Sequence, residues 1–194
     1  MKKISLILIL FVTASSAFAQ SITNVQYSMG FGTGDLGDYI SNPSFRGIAI
    51  DYRKMAQPNI GVGFELGWNV FYDAKASDTY SLGNLSYSAK QWRYNNQFPA
   101  LFAVDYYLSP GEHINPFAGL GIGTMYSLRN TDLGQYRFEE DAWHFALRPE
   151  VGVLIEANPG MSVAITGKYY HGFEAGDLDA QSYFALTIGF VFSK

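Results

Sequence analysis

Between Asn96 and Tyr126 the chain alternates side-chain character with a period of two. In the first half Phe98, Ala100, Phe102, Val104, Tyr106 and Leu108 share one parity, and Gln97, Pro99, Leu101, Ala103, Asp105 and Tyr107 take the other. After a turn-like SPGEHI, Ala118, Leu120, Ile122, Thr124 and Tyr126 share a parity, with Gly119, Gly121 and Gly123 opposite. A two-residue period places successive side chains on opposite faces of a strand and does not suit a helix. One face is apolar and continuous. The other is small or polar and holds a carboxylate. Two folds accept such ribbons. A soluble sandwich turns the apolar face inward, and a membrane barrel turns it to lipid and keeps the polar face in a lumen.

The N-terminus bears on that choice. Lys2 and Lys3 precede an apolar run from Ile4 to Val12, and Ala17-Phe18-Ala19 supplies the small residues read by a signal peptidase. The run is shorter than the about 20 residues that cross a bilayer. Residues 1–19 are therefore expected to be a cleaved export signal, and residues 20–194 one barrel domain. Removing Lys2 and Lys3 leaves 11 cations against 17 acids, a formal charge of −6 that excludes nucleic acid as a partner. There is no cysteine, which excludes disulfides, a lipid-anchored cysteine and thiol chemistry. Charged residues make up 15% of the chain, against a usual share of about 25%. An exported β chain with this little charge has an unusually apolar surface.

Alternation recurs through the chain: VQYSMGFG, FRGIAIDYR, NIGVGFELGWNVFY, the opening pair, WHFALRPEVGVLIE, MSVAITGKYYHGF and SYFALTIGFVF. That makes eight strands, and no amphipathic helix is apparent. MAQPN, SPGEHI and ANPGM are short connections built on Pro, Gly or Asn. Those near 35–43, 73–90, 129–141 and 174–181 are longer and polar. Short and long alternate, as in an outer-membrane barrel with tight periplasmic turns and long external loops. A strand of about ten residues, tilted by about 45°, spans roughly 23 Å and fits the apolar layer. The expected fold is all-β: an eight-stranded antiparallel up-and-down transmembrane β-barrel.

Charge follows the same parity. Asp51, Arg53, Glu65, Arg93, Asp105, Arg148, Glu150 and Lys168 fall opposite the apolar face, and Arg46, Lys54 and Lys90 are exceptions at strand ends. An eight-stranded barrel is just wide enough inside to be filled by side chains. Glu65, Arg93, Asp105, Arg148, Glu150 and Lys168 are expected to form a polar network there, because unpaired buried charge is costly. The glycine rows at 61, 63 and 67 and at 119, 121 and 123 leave room for side chains of the strand between them. Trp68, Trp92 and Trp143 map to the outer strand ends on the lipid face, as half of an aromatic belt. Pro99 and Pro149 lie inside strands and predict bulges or missing ladder bonds.

Candidate chemistry is thin. Gly32-Thr33-Gly34-Asp35-Leu36-Gly37 matches GxGxxG, but no βαβ unit surrounds it, so a small-residue row running into a loop is the better account. His113, His144 and His171 fall in unrelated places, and no serine lies two residues after any of them. His144 with Arg148 and Glu150 is an inward polar cluster that a structural network explains as well as a catalytic one. The loop acids Glu139, Glu140, Asp141, Asp177 and Asp179 read as solvated. Tyr80, Tyr87 and Trp92 could form a binding surface or belong to the belt. No cofactor, metal or enzymatic activity is expected.

FPALFAVDYYL followed by NPFAGLGIGTMY resembles the descending and ascending strands of the small OmpW-like and OmpX-like outer-membrane barrels. The ending YFALTIGFVF resembles their C-terminal assembly signal, with Phe192 as its terminal aromatic and Phe190 and Ile188 on the same face. The resemblance implies a Gram-negative outer-membrane protein, a monomer among lipids and lipopolysaccharide, inserted by the barrel assembly machinery. It implies an envelope-structural role or passage of small hydrophobic solutes. A loop-mediated adhesin or receptor is the alternative, and a lipid A-modifying enzyme comes third.

Overall fold

The computed structural model describes residues 20–194 apart from 83, 84 and 135, and side chains outside 77–89. The expected export signal at 1–19 and the side chains of Tyr80 and Tyr87 lie outside the described residues. Eight strands follow in order: β1 (Ser21–Thr33), β2 (Ser44–Gln57), β3 (Ile60–Leu82), β4 (Leu85–Tyr107), β5 (Ile114–Leu133), β6 (Tyr136–Asn158), β7 (Met161–Gly172) and β8 (Gln181–Ser193). Each pairs antiparallel with its sequence neighbour, and β1 pairs with β8 to close the barrel. Ser21 and Lys194 exchange backbone hydrogen bonds of 2.9 Å, so the described N-terminus and the C-terminus zip together at one rim. The same rim carries the three short turns, two of them using glycines in the left-handed region: Gly111 (φ 86°) and Gly160 (φ 83°). No helix among the described residues is long and apolar enough to cross a membrane; a barrel crosses with its strands.

The faces settle the choice left open by the alternation. Phe64, Phe102, Leu120 and Ile188 are 49%, 54%, 54% and 47% exposed on the outer wall, whereas Glu65, Arg148 and Lys168 are fully buried inside. Burying charge and exposing phenylalanine is a soluble domain turned inside out, the arrangement a lipid solvent demands.

Two features differ from the sequence expectation. The segments 73–90 and 129–141 are not loops but the tops of β3–β4 and β5–β6, which run on as paired strands. Both parities of these segments carry polar residues, so the hydrophobic alternation that marks a strand fades while the backbone pairing continues. Second, a short helix α1 (Gly34–Tyr39) follows β1, with Leu36 and Ile40 fully buried. The two prolines act as expected: each interrupts a ladder, and neither shifts the register. β3–β4 pairing stops at Leu66–Ala100 and resumes at Asn69–Gln97, around Pro99, and β6–β7 pairing skips from Leu147–His171 to Glu150–Lys168, around Pro149. Each proline lacks the donor its ladder position needs.

Candidate functional site: a filled lumen beneath a projecting sheet

The middle of the lumen holds four carboxylates and three cations on five strands. Lys168 on β7 reaches Glu65 Oε2 (2.6 Å), Asp51 Oδ2 (3.1 Å) and Glu150 Oε2 (3.7 Å). Arg148 on β6 bridges Glu65 (3.2 Å) and Glu150. Arg53 on β2 binds Asp105 Oδ2 through Nε (2.6 Å), approaches Glu150 (3.5 Å) and donates to the Phe64 carbonyl (2.8 Å). Tyr170 donates to Glu65 Oε1 (2.5 Å), and Gln26 donates to Asp51. The oxygens of Asp51, Glu65 and Glu150 lie within 4.8 Å of one another, the spacing of a cation site. Lys168 contacts all three, so the chain supplies the cation itself. Two glycines make the room. A Cβ at Gly121 would lie 3.1 Å from Arg148 Nε, and one at Gly119 would collide with the Asp105 carboxylate.

The sequence placed five of the six expected network residues in this cluster. Arg93 is the correction. It stands apart, with Nε on Gln91 Oε1 (3.1 Å) and Nη1 on the Tyr39 carbonyl (2.8 Å). Arg93 shares a strand face with Asp105, but twelve residues are about 40 Å of strand. Parity fixes the face and leaves the level open. Asp51 and Arg53 share the inward parity and complete the cluster, and Tyr170 and Gln26 enter it with no charge to announce them. His144 is a second correction: it is buried but bonds the Phe173 carbonyl (2.7 Å), outside the Arg148–Glu150 network.

Above the charges the lumen turns neutral. Ser127, Gln97, Asn95 and Gln181 form a chain of bonds of 2.7, 2.6 and 2.9 Å. Tyr170 stacks on Tyr183 with centroids 4.5 Å apart, and Leu36, Ile40, Phe71, Leu101 and Met125 complete an apolar cluster. α1 is therefore a plug. Tyr39 locks it: its hydroxyl meets Thr131 Oγ1 (2.5 Å), and Arg93 and Arg129 stack on its ring at 4.8 and 4.3 Å. Burial pushes the Tyr39 hydroxyl above its ordinary pKa, against the hydrogen bond to Thr131 and the two guanidinium charges. Ser41 and Asn42 donate to Asp73 (3.4 and 2.7 Å), and Lys75 pairs with it (2.8 Å). Burial would raise the Asp73 carboxyl, but Lys75 and Ser41 outweigh it and hold the pKa below the ordinary value.

β4 and β5 stay paired up to Gln91–Leu133, and β5 and β6 up to Leu133–Tyr136. β7 meets β6 only from Ala146 downward, and β2 meets β3 only up to Asn69. Among the described residues the tops of β3 to β6 therefore form one sheet that projects beyond the rim, with no further strand paired along the outer sides of β3 and β6 there. On the β6 edge Tyr136 to Asp141 are all exposed, and Arg137 is held by Asp132 (2.6 Å).

The outer wall carries an aromatic row. Trp68 stacks on Phe98 (5.8 Å), Phe98 meets Tyr126 (6.1 Å) and Tyr126 meets Trp143 (5.0 Å). Trp92 is outside this row, six residues further along β4 than Phe98, with Lys90 5.5 Å over its ring. Ile188, Phe190 and Phe192 are exposed on the outer face of β8. His171 Nδ1 and Ser182 Oγ meet at 2.7 Å on β7 and β8, a contact that sequence spacing could not reveal because it joins two strands.

A family model described as "Outer membrane protein beta-barrel domain" matches residues 4–192. No curated protein matches the sequence. Among solved structures, the chain is similar to Ail, the attachment invasion locus protein of Yersinia pestis, in complex with the heparin analogue sucrose octasulfate. The identity is 12% and the TM-score 0.57, over 92% of this chain and all of that one. It is similar to Neisserial surface protein A at 11% identity and TM-score 0.52, over 90% of this chain and 96% of that one. The N-terminal barrel domain of Pseudomonas aeruginosa OprF matches at 8% identity and TM-score 0.51, over 90% of this chain and all of that one. Likeness at these identities carries the fold alone.

Proposed function

We propose a function from the premise that the chain belongs to the outer membrane protein beta-barrel domain family and is an integral barrel of the cell outer membrane. The barrel is a non-enzymatic platform whose projecting sheet docks an extended polypeptide outside the cell. The observation that carries this is a lumen filled at two levels beneath a sheet with a free, exposed edge. An open edge presents unpaired N–H and C=O groups and accepts an added strand. Glu139, Glu140 and Asp141 on the β6 edge favour a basic partner strand and oppose pairing of two copies edge to edge. A sulfated ligand of the kind seen with Ail suits this edge poorly. Passage of small hydrophobic solutes, expected from the sequence beside an envelope-structural role, would need a route through the Lys168 cluster and past Leu36.

An enzymatic role rests on His171 and Ser182. No carboxylate is hydrogen-bonded to His171 among the described residues. Ser182 sits within the continuous wall, paired in register to His171 on β7 and to Thr33 on β1. The aromatic row is the outer-leaflet girdle in this reading, and Ile188, Phe190 and Phe192 serve the assembly machinery. Two measurements test the proposal. Purified protein in planar bilayers should give no pore current and no solute uptake in vesicles; either one would overturn it. Cells displaying the barrel should adhere to protein-coated surfaces, and Glu139→Lys with Asp141→Lys should change that adhesion.

A further inference from the structure

A groove of about 640 Å³ opens on the outer wall from Trp68 of the aromatic row upward. Its floor is apolar: Ile48, Val70 and the rings of Trp68 and Tyr94. Its rim is cationic: Arg46 on β2 at one end and Arg137 on β6 at the other. Arg137 already spends its fork on Asp132, with bonds of 2.6 and 2.9 Å. Arg46 makes no ion pair among the described residues and only leans over the Tyr72 ring at 6.0 Å. Trp68 Nε1 donates to Asn96 Oδ1 (3.2 Å), which leaves Asn96 Nδ2 as a donor beside it.

We infer that this groove holds a lipid of the outer leaflet by its phosphorylated headgroup. The argument is one of position and chemistry. Below the row, Leu66, Phe102 and Ile122 face outward and belong against acyl chains. The row itself marks the depth of the polar headgroups. An uncompensated guanidinium at that depth, over an apolar trough, fits a molecule with a phosphate at one end and hydrocarbon at the other. The phosphate would lie on Arg46 and Asn96 Nδ2, and one chain would run down over Val70 and Ile48. A soluble anion would gain nothing from the trough. The site is on the opposite surface of the wall from the lumen cluster and shares only Arg137 with the docking edge.

The test is native mass spectrometry of the barrel extracted from nanodiscs that contain either bisphosphorylated or dephosphorylated lipid A. Wild type should retain one phosphorylated lipid. Arg46→Gln should reduce retention about ten-fold or more, the scale of one lost charge-assisted partner. Dephosphorylated lipid A should be held weakly by both proteins. Millimolar inorganic phosphate should not compete, which separates a lipid from a free anion. Val70→Trp, which fills the trough and keeps both arginines, should lower retention as Arg46→Gln does. It stands in for Arg46→Gln should that variant fail to fold. Equal retention by wild type and either folded variant, equal binding of the dephosphorylated lipid, or full competition by phosphate would each overturn the assignment.

Discussion

The inward face of β4 meets two different solutions along its length. Low on the strand, Asp105 is met by Arg53 from across the lumen, and the surrounding charges are closed by side chains of five strands. High on the strand, Arg93 is met by Tyr39 of a connecting segment, and the sheet around it has free edges. The difference follows from the solvent outside. In hydrocarbon every backbone group must pair, so the strands close into a ring, and a ring of eight leaves an interior that side chains fill. Above the headgroups water satisfies an unpaired edge. β3 to β6 can leave the ring there, and the plug needs only local contacts to stay.

The comparison is sharpest where one residue is removed from each half. Lys168→Met takes a buried ammonium from three carboxylates and should cost about 3–5 kcal/mol, as loss of one partner from a buried pair does. Urea unfolding in lipid vesicles reads it. A loss below about 1 kcal/mol would mean that the barrel tolerates uncompensated charge in its centre, and the two halves would no longer differ in kind. Leu36→Ala in the plug should cost less, about 2–3 kcal/mol, because a six-residue helix can settle into part of the space. It should also leave the protein without pore current, since the Lys168 cluster lies below. A current in Leu36→Ala would place the seal in the plug alone. Tyr39→Phe removes the hydroxyl bonds to Thr131 and to the Asn130 carbonyl and should weaken the plug by about 1 kcal/mol, seen as faster hydrogen exchange over 34–43 with global unfolding unchanged.

What was legible in the sequence divides along the same line. The face of each strand followed from a period of two, because lipid on one side and a crowded lumen on the other leave no ambiguity for Phe102 against Leu101 or Leu120 against Gly121. The level was not legible. Arg93 and Asp105 have the same parity, and only cross-strand register tells that Arg53, sitting on a different strand, is the one that reaches Asp105. The hairpin tops were not legible because 73–90 and 129–141 carry polar residues on both parities. α1 was hidden by its length and by Gly34 and Gly37, which oppose a helix. A faint signal was present: Leu36 and Ile40 are apolar residues four apart in an otherwise polar connection. The His171–Ser182 contact left no trace, since β-pairing can join any two residues eleven apart.

Acid supplies the smallest and most selective way to separate the halves. Asp73, above the aromatic row on β3, has its pKa held down by Lys75 and by Ser41 of the plug connection, against burial. A depressed carboxyl contributes stability that is fully present above its unfolded pKa of about 4 and is lost as pH falls through the folded value. Between pH 7 and 5 the protection factors of the plug, which remove the intrinsic pH dependence of exchange, should therefore stay constant. Below about pH 4 protection over 34–43 should fall as Asp73 takes a proton and releases Asn42 and Lys75. Asp73→Asn should be loose already at neutral pH and insensitive to acid. Loss of protection that begins at pH 6, or that persists in Asp73→Asn, would assign the acid response to another group and remove Asp73 from the latch.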